Sequence, residues 1–201
     1  MPIDVLLAMA VFASVTAFTP GPNNIMLAAS GVNFGFARTI PHMIGVTVGF
    51  MVVLAVCATG LGLLVTTVPA LLLVLKAACG LYMLWLAWKV ATASVASDDE
   101  KTLTRPLTLF QAALFQWINP KALVVALSAI AIYVRPDNRM VDFLILLAVF
   151  TATTAGSVVT WAAFGVALRR FLKDPVHARI FNVAMALLLV ASIVPIVTGA
   201  E

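Results

Sequence analysis

Two short polar segments interrupt long apolar stretches of the sequence, and both combine proline with asparagine. The first consists of Thr19, Pro20, Gly21, Pro22, Asn23 and Asn24, and the second contains Gln116, Asn119, Pro120 and Lys121. Proline removes one backbone amide from a helix and clashes with the carbonyl four residues earlier. Each segment therefore predicts a broken helix, with unpaired backbone groups beside amide side chains and one lysine.

The chemistry available at such breaks is the binding of a small charged molecule. The half-helix after each break begins with free amides and the positive end of its dipole, which favours an anion. Lys121 adds a cation at the positive end of the second half-helix, which is unfavourable by itself. Its position becomes favourable once a carboxylate is bound. Oxygen acceptors for an ammonium group are carbonyls or side-chain amides of Thr16, Phe18, Gln116, Asn23, Asn24 and Asn119. An amino acid carries both charged groups, so the ten residues of the two segments are the candidate substrate-binding site.

The composition places these segments in lipid. Of the 201 residues, 63% are hydrophobic and 10% are charged, with a mean hydropathy of +1.12, whereas an average soluble chain is about 25% charged. The net charge of +4 comes from scattered lysines and arginines, which excludes the clustered phosphate-binding surface of a nucleic-acid-binding protein. Membrane lipid is therefore an expected partner and nucleic acid is not.

The pattern of apolar residues predicts six transmembrane helices. The stretches cover about residues 5–30, 39–65, 69–89, 107–133, 140–168 and 176–199. Backbone groups in lipid must bond within their own segment, so these stretches are helices. The first residues lack a basic region, so we interpret them as the start of the first span and not as a cleaved signal peptide.

The six spans divide into two halves of three. A polar linker at about residues 92–106 separates halves at about 1–95 and 106–201 of one transmembrane domain, 1–201. Each half opens with a helix broken near its centre, and an odd number of spans inserts the halves in opposite senses. The fold class predicted is an all-α integral membrane protein, a 3+3 inverted repeat with broken first and fourth helices. This arrangement is typical of transporters with a site at the midplane.

The positively charged loops predict the orientation in the membrane. One side carries Arg38, Lys89, Lys101, Arg105, Arg169, Arg170, Lys173 and Arg179, and the other carries Arg135 and Arg139. Because cytoplasmic loops are enriched in lysine and arginine, we expect the first side in the cytoplasm and both termini outside it.

Several polar or small residues have structural interpretations beside the functional one. Proline is common in membrane helices, so either break taken singly also fits a simple kink. His42 is interpreted as an interface residue at the start of the second span. Asn182 fits either helix packing or substrate contact, and Gly45 with Gly49 predicts close helix packing.

The absence of some residue types limits the function further. No acidic residue lies inside a predicted span, because Asp4 and Asp142 are at span edges, so no carboxylate is available for a proton relay. The lone cysteines Cys57 and Cys79 make a poor metal site, and no ATP-binding or catalytic motif occurs. We therefore expect no cofactor, no metal and no enzymatic activity. A metal-ion or other small-solute exporter, or a non-transporting membrane enzyme, is the alternative.

The two broken segments, residues 18–24 and 116–122, together with residues 76–88 of the third span, resemble the LysE/RhtB family of bacterial amino-acid exporters. The third stretch departs from the family at Cys79 and Leu81. The resemblance covers the whole chain. It implies efflux of amino acids or close derivatives across the bacterial inner membrane, driven by an ion gradient such as that of protons. The lack of intramembrane acids favours small neutral substrates of the threonine/homoserine or cysteine/O-acetylserine type. A homodimer is possible.

Overall fold

The computed structural model describes residues 1–60, 69–92, 105–169, 171–172 and 174–191, and these residues fold into helices. The helices are α1 (Ile3–Phe18), α2 (Pro22–Phe34), α3 (Phe36–Ala58), α4 (Pro69–Ala91), α5 (Leu109–Ile118), α6 (Pro120–Tyr133), α7 (Arg139–Arg169) and α8 (Pro175–Ala191). A short 3-10 turn at Pro136–Asn138 joins α6 to α7. The all-helical prediction is confirmed for the described part of the chain.

Both predicted breaks are present. Helices α1 and α2 meet at a bend of 53°, and α5 and α6 meet at a bend of 68°. Among the described residues, two helical segments, Phe36–Ala58 and Pro136–Arg169, are long and apolar enough to cross a membrane, and counting each bent pair as one span gives up to four. Most of the predicted linker, at 93–104, and the predicted span ends at 61–65 and 192–199 lie outside the described residues.

The helices pack mainly across the two halves of the sequence. Helices α1 and α2 pack on α7, while α5 and α6 pack on α3. Helix α3 also packs on α7, and α4 packs on α8. Gly49 lets α3 approach α5 closely, because a Cβ atom there would lie 2.5 Å from the Cα of Ala113. Gly45 has the same role one turn away, so the prediction of close helix packing at this pair is confirmed.

Helix α3 begins earlier than predicted, and this changes the position of His42. Gly35 has a φ of 80°, a left-handed conformation that favours glycine, and it lets the chain start α3 at Phe36. His42 therefore lies in the second turn and is only 1% exposed. Its interpretation as an interface residue is wrong.

An ion pair between a half-exposed arginine and a buried carboxylate fixes the connection before α7. The Asp142 carboxylate is fully buried and accepts from Nε of Arg135 at 2.7 Å and from Nη2 at 2.9 Å. These hydrogen bonds hold the pKa of the Arg135 guanidinium above its ordinary value. The pairing explains how an acidic side chain is tolerated at the edge of an apolar helix.

Candidate substrate-binding site

The two breaks lie side by side in the folded chain. Lys121 Nζ donates to the carbonyl of Thr19 at 2.8 Å, although the residues are 102 positions apart. The side-chain amides of Asn23 and Gln116 exchange two hydrogen bonds, of 2.8 Å and 3.2 Å. The structure therefore joins the two polar segments into one region, which neither segment specifies alone.

Side chains satisfy carbonyls that the first break leaves without helix partners. Asn24 Nδ2 donates to the carbonyls of Ala17 and Thr19 at 2.8 Å and 2.9 Å. Ser157 Oγ, from α7, donates to Ala17 at 2.6 Å. Buried backbone carbonyls need such partners, so these hydrogen bonds stabilise the end of α1 and the bend between α1 and α2.

Both half-helices begin without a side-chain cap. Gly21 precedes α2 and Asn119 precedes α6, and neither provides a side-chain hydrogen bond to the first turn. By contrast, α5 begins with a complete capping box between Thr108 and Gln111. In the first turns, the amides of Asn23 and Asn24 in α2 and of Lys121 in α6 lack intrahelical acceptors, whereas Ala122 donates to the carbonyl of Asn119 at 3.1 Å. The free amides add positive potential at the two breaks.

A cavity lies between the breaks and the middles of α3 and α7. It opens to solvent and encloses about 540 Å³ of space between the helices, open solvent included. Of the ten candidate residues, seven line it, namely Gly21, Pro22, Asn23, Asn24, Gln116, Asn119 and Lys121. Thr19, Pro20 and Pro120 are not among the lining residues; Thr19 contributes its carbonyl to Lys121.

The lining combines two polar groups of opposite character with an apolar wall. Lys121 supplies a cation. Asn119 is 2% exposed, and its Oδ1 has no hydrogen-bond partner within the described part of the chain. The wall includes Val46, Phe50 and Phe150, and no described lining residue is acidic. A zwitterion with a neutral side chain matches this arrangement, since buried polar groups require partners.

Several lining residues lie outside the segments that the sequence singled out. Thr154 and Ser157 come from the middle of α7, and Val46 and Phe50 come from α3. Thr154 and Ser157 are three positions apart on one face of an apolar helix, a spacing that was available as a signal. The α3 residues carry no such signal, because valine and phenylalanine are ordinary in any membrane span.

Comparisons with known proteins identify the family to which the chain belongs. The sequence profile of the LysE type translocator family matches residues 14–194, which include both breaks. The chain belongs to the LysE type translocator family. The translocator is also similar to proteins named cysteine/O-acetylserine efflux protein, at 33% identity in Salmonella paratyphi A and 31% in Escherichia coli O1:K1. Each alignment spans 181 residues, 89% of this chain and 90% of the relative. No solved structure matches the chain significantly.

Within the described residues, no three His, Cys, Asp or Glu side chains come together as a metal site.

Proposed function

We propose that this translocator exports small neutral amino acids, of the cysteine and O-acetylserine type, across the bacterial inner membrane. The observation that carries the proposal is that Lys121 and Asn119 line one cavity, and that Asn119 has a buried Oδ1 without a hydrogen-bond partner in the described part of the chain. Lys121 binds the substrate carboxylate, together with the first-turn amides of α2 and α6. Asn119 accepts from the ammonium group, and the Asn23–Gln116 pair fixes the distance between α2 and α5.

The apolar wall favours an uncharged substrate side chain. A lysine or arginine side chain brings a second positive charge, and burying an unpaired charge is costly. No described lining residue is acidic, so such a substrate finds no carboxylate in the part of the cavity that the structure describes. The relatives' names, cysteine/O-acetylserine efflux protein, fit a cavity of this character.

We further propose the six-span inverted repeat, with halves at about 1–95 and 106–201 and both termini in the periplasm. The packing supports it, since the broken pair of each half packs on the second span of the other half: α1 and α2 pack on α7, and α5 and α6 pack on α3. A two-fold axis in the membrane plane relates such contacts. The energy for export comes from the proton gradient, and association of two copies remains a prediction.

The test is counterflow into proteoliposomes that contain the purified protein. Liposomes loaded with unlabelled O-acetylserine are diluted into a trace of labelled O-acetylserine, cysteine, threonine or lysine. We expect transient accumulation of the neutral substrates, strongest for O-acetylserine and cysteine, and none of lysine. Accumulation of lysine at the same rate contradicts the neutral specificity. Accumulation of none of them contradicts the proposed export.

A further inference from the structure

His42 is a buried ionisable side chain for which the substrate site has no use. It is 1% exposed, and within the described residues neither ring nitrogen has a hydrogen-bond partner. Residues four apart share a helix face, so His42 lies one turn of α3 before Val46 and two turns before Phe50, which both line the cavity. This places the imidazole about 6 Å along the helix axis from the cavity wall.

A histidine in this position calls for an explanation. Buried polar atoms nearly always have partners, and a partnerless one costs free energy. An ionisable residue inside a membrane protein is a functional candidate by default. An imidazole accepts and releases a proton through a ring-nitrogen lone pair, which is the step that coupling to a proton gradient requires.

The other ionisable side chains on α3 and on the helices that pack against it either have partners of their own or lie away from His42. Helices α2 and α5, which pack on α3, carry no ionisable side chain. Besides His42, those on α3 and on the packed helices α6 and α7 are Arg38, Cys57, Lys121, Tyr133, Arg139, Asp142 and Arg169.

Their positions leave His42 without a carboxylate partner on these helices. Asp142 is bound by Arg135, and the neighbouring Arg139 donates to the carbonyl of Ala58, at the opposite end of α3 from His42. Lys121 already donates to Thr19. Of the described charged groups on α3 and α7, those at the end of α3 where His42 lies are Arg38 and Arg169, both cations, and the segment that leads to α5 carries a third cation, Arg105.

We propose that His42 carries the coupling proton of this translocator. The neutral imidazole takes a proton from water on one side of the membrane through a ring-nitrogen lone pair. It releases that proton to water on the other side as a substrate molecule moves outward. Only one N–H bond forms and breaks. The inference rests on the proposed export of amino acids, and it names the group that links export to the proton gradient.

The experiment compares His42→Gln with wild type in two proteoliposome assays. Counterflow of labelled O-acetylserine at equal pH on both sides requires binding and translocation but no net proton movement. Accumulation driven by an acidic interior requires coupling. The matched control is His177→Gln, because His177 is the other histidine, is 64% exposed and contacts Asp174 at 3.3 Å.

We expect His42→Gln to retain counterflow within about twofold, as for a substitution that leaves the substrate contacts intact, and to lose accumulation driven by the pH gradient. His177→Gln retains both activities. Gradient-driven accumulation by His42→Gln at the wild-type level overturns the proposal. Loss of counterflow in both His42→Gln and His42→Asn also overturns it, since His42 then serves folding or binding.

The wild-type protein separates this inference from the proposed function. Wild-type counterflow without any response to the pH gradient overturns the proton coupling alone. Absence of wild-type counterflow overturns the export activity, and the inference with it.

Discussion

Substitution of Gly49 by alanine tests how the close approach of α3 and α5 supports the site. A Cβ atom at Gly49 would lie 2.5 Å from Ala113 Cα and 3.0 Å from Gln116 Cγ, whereas ordinary contacts begin at 3.4 Å. Helix α5 must therefore retreat by about 0.9 Å. A shift of this size weakens the Asn23–Gln116 hydrogen bonds, which are 2.8 Å and 3.2 Å long.

The expected cost follows from two opposing effects. Overpacking of a tight contact costs about 1–3 kcal/mol. Replacing glycine by alanine within a helix stabilises the folded protein by about 0.5–1 kcal/mol, because glycine is the poorer helix former. We therefore expect a net loss of about 1 kcal/mol in the free energy of unfolding, within a range of about 0–2.5 kcal/mol. Counterflow falls about tenfold, because the site is displaced by nearly an ångström.

The control is Gly156→Ala in α7. A Cβ atom there would lie 3.7 Å from Phe18 Cζ, an ordinary contact, so this variant keeps its activity and gains slightly in stability. The assay pairs the unfolding temperature in detergent with counterflow in proteoliposomes. If Gly49→Ala matches Gly156→Ala in both measurements, the close contact of α3 with α5 does not position the site.

Further substitutions test the charged and polar groups. Lys121→Met raises the apparent KM about 10- to 100-fold, because a hydrogen bond to a charged group contributes about 1.5–3 kcal/mol; concentration-dependent counterflow measures it. Asn23→Ala and Gln116→Ala each lower the transport rate. The double variant transports about as fast as the less active of the two single variants, which corresponds to a coupling of about 0.5–3 kcal/mol in a double-mutant cycle. Arg135→Ala lowers the unfolding temperature because it leaves the Asp142 carboxylate buried and unpaired, which differential scanning fluorimetry detects.

Each of these predictions has a control and a contradicting outcome. Lys89→Met removes a lysine that packs over Trp85, outside the cavity, and leaves KM unchanged; an unchanged KM for Lys121→Met refutes the carboxylate contact. Strictly additive effects of the two amide substitutions contradict their pairing. An unfolding temperature for Arg135→Ala equal to that of Arg38→Ala, which removes an exposed charge, contradicts the structural role of the ion pair.

The sequence predicts the breaks well, because the cause is local. Pro20, Pro22 and Pro120 each lack an amide proton, so the helices end where the sequence says that they must. The sequence cannot say which carbonyls receive side-chain donors. Thr16 and Phe18 are the carbonyls that the prolines free, yet the donors from Asn24, Lys121 and Ser157 reach those of Ala17 and Thr19.

The remaining features depend on contacts between distant parts of the chain. Lys121 meets Thr19 only because α6 and α1 are brought together by packing on α3 and α7. The sequence does not predict the burial of His42, because the face of α3 that packs on its neighbours depends on distant parts of the chain. Side chains such as Phe50 line the cavity because one face of α3 is turned toward it. The composition of an apolar helix does not reveal which face that is.

The central claim is that Lys121 binds the substrate carboxylate in the cavity between the two breaks. The most direct measurement is a chemical cycle, in which wild type and Lys121→Met are each inhibited in counterflow by O-acetylserine and by its carboxamide. We expect the amide to inhibit wild type about 10- to 100-fold more weakly than the acid, and both compounds to inhibit Lys121→Met about equally. If the preference for the acid persists undiminished in Lys121→Met, the carboxylate binds elsewhere and the claim is wrong.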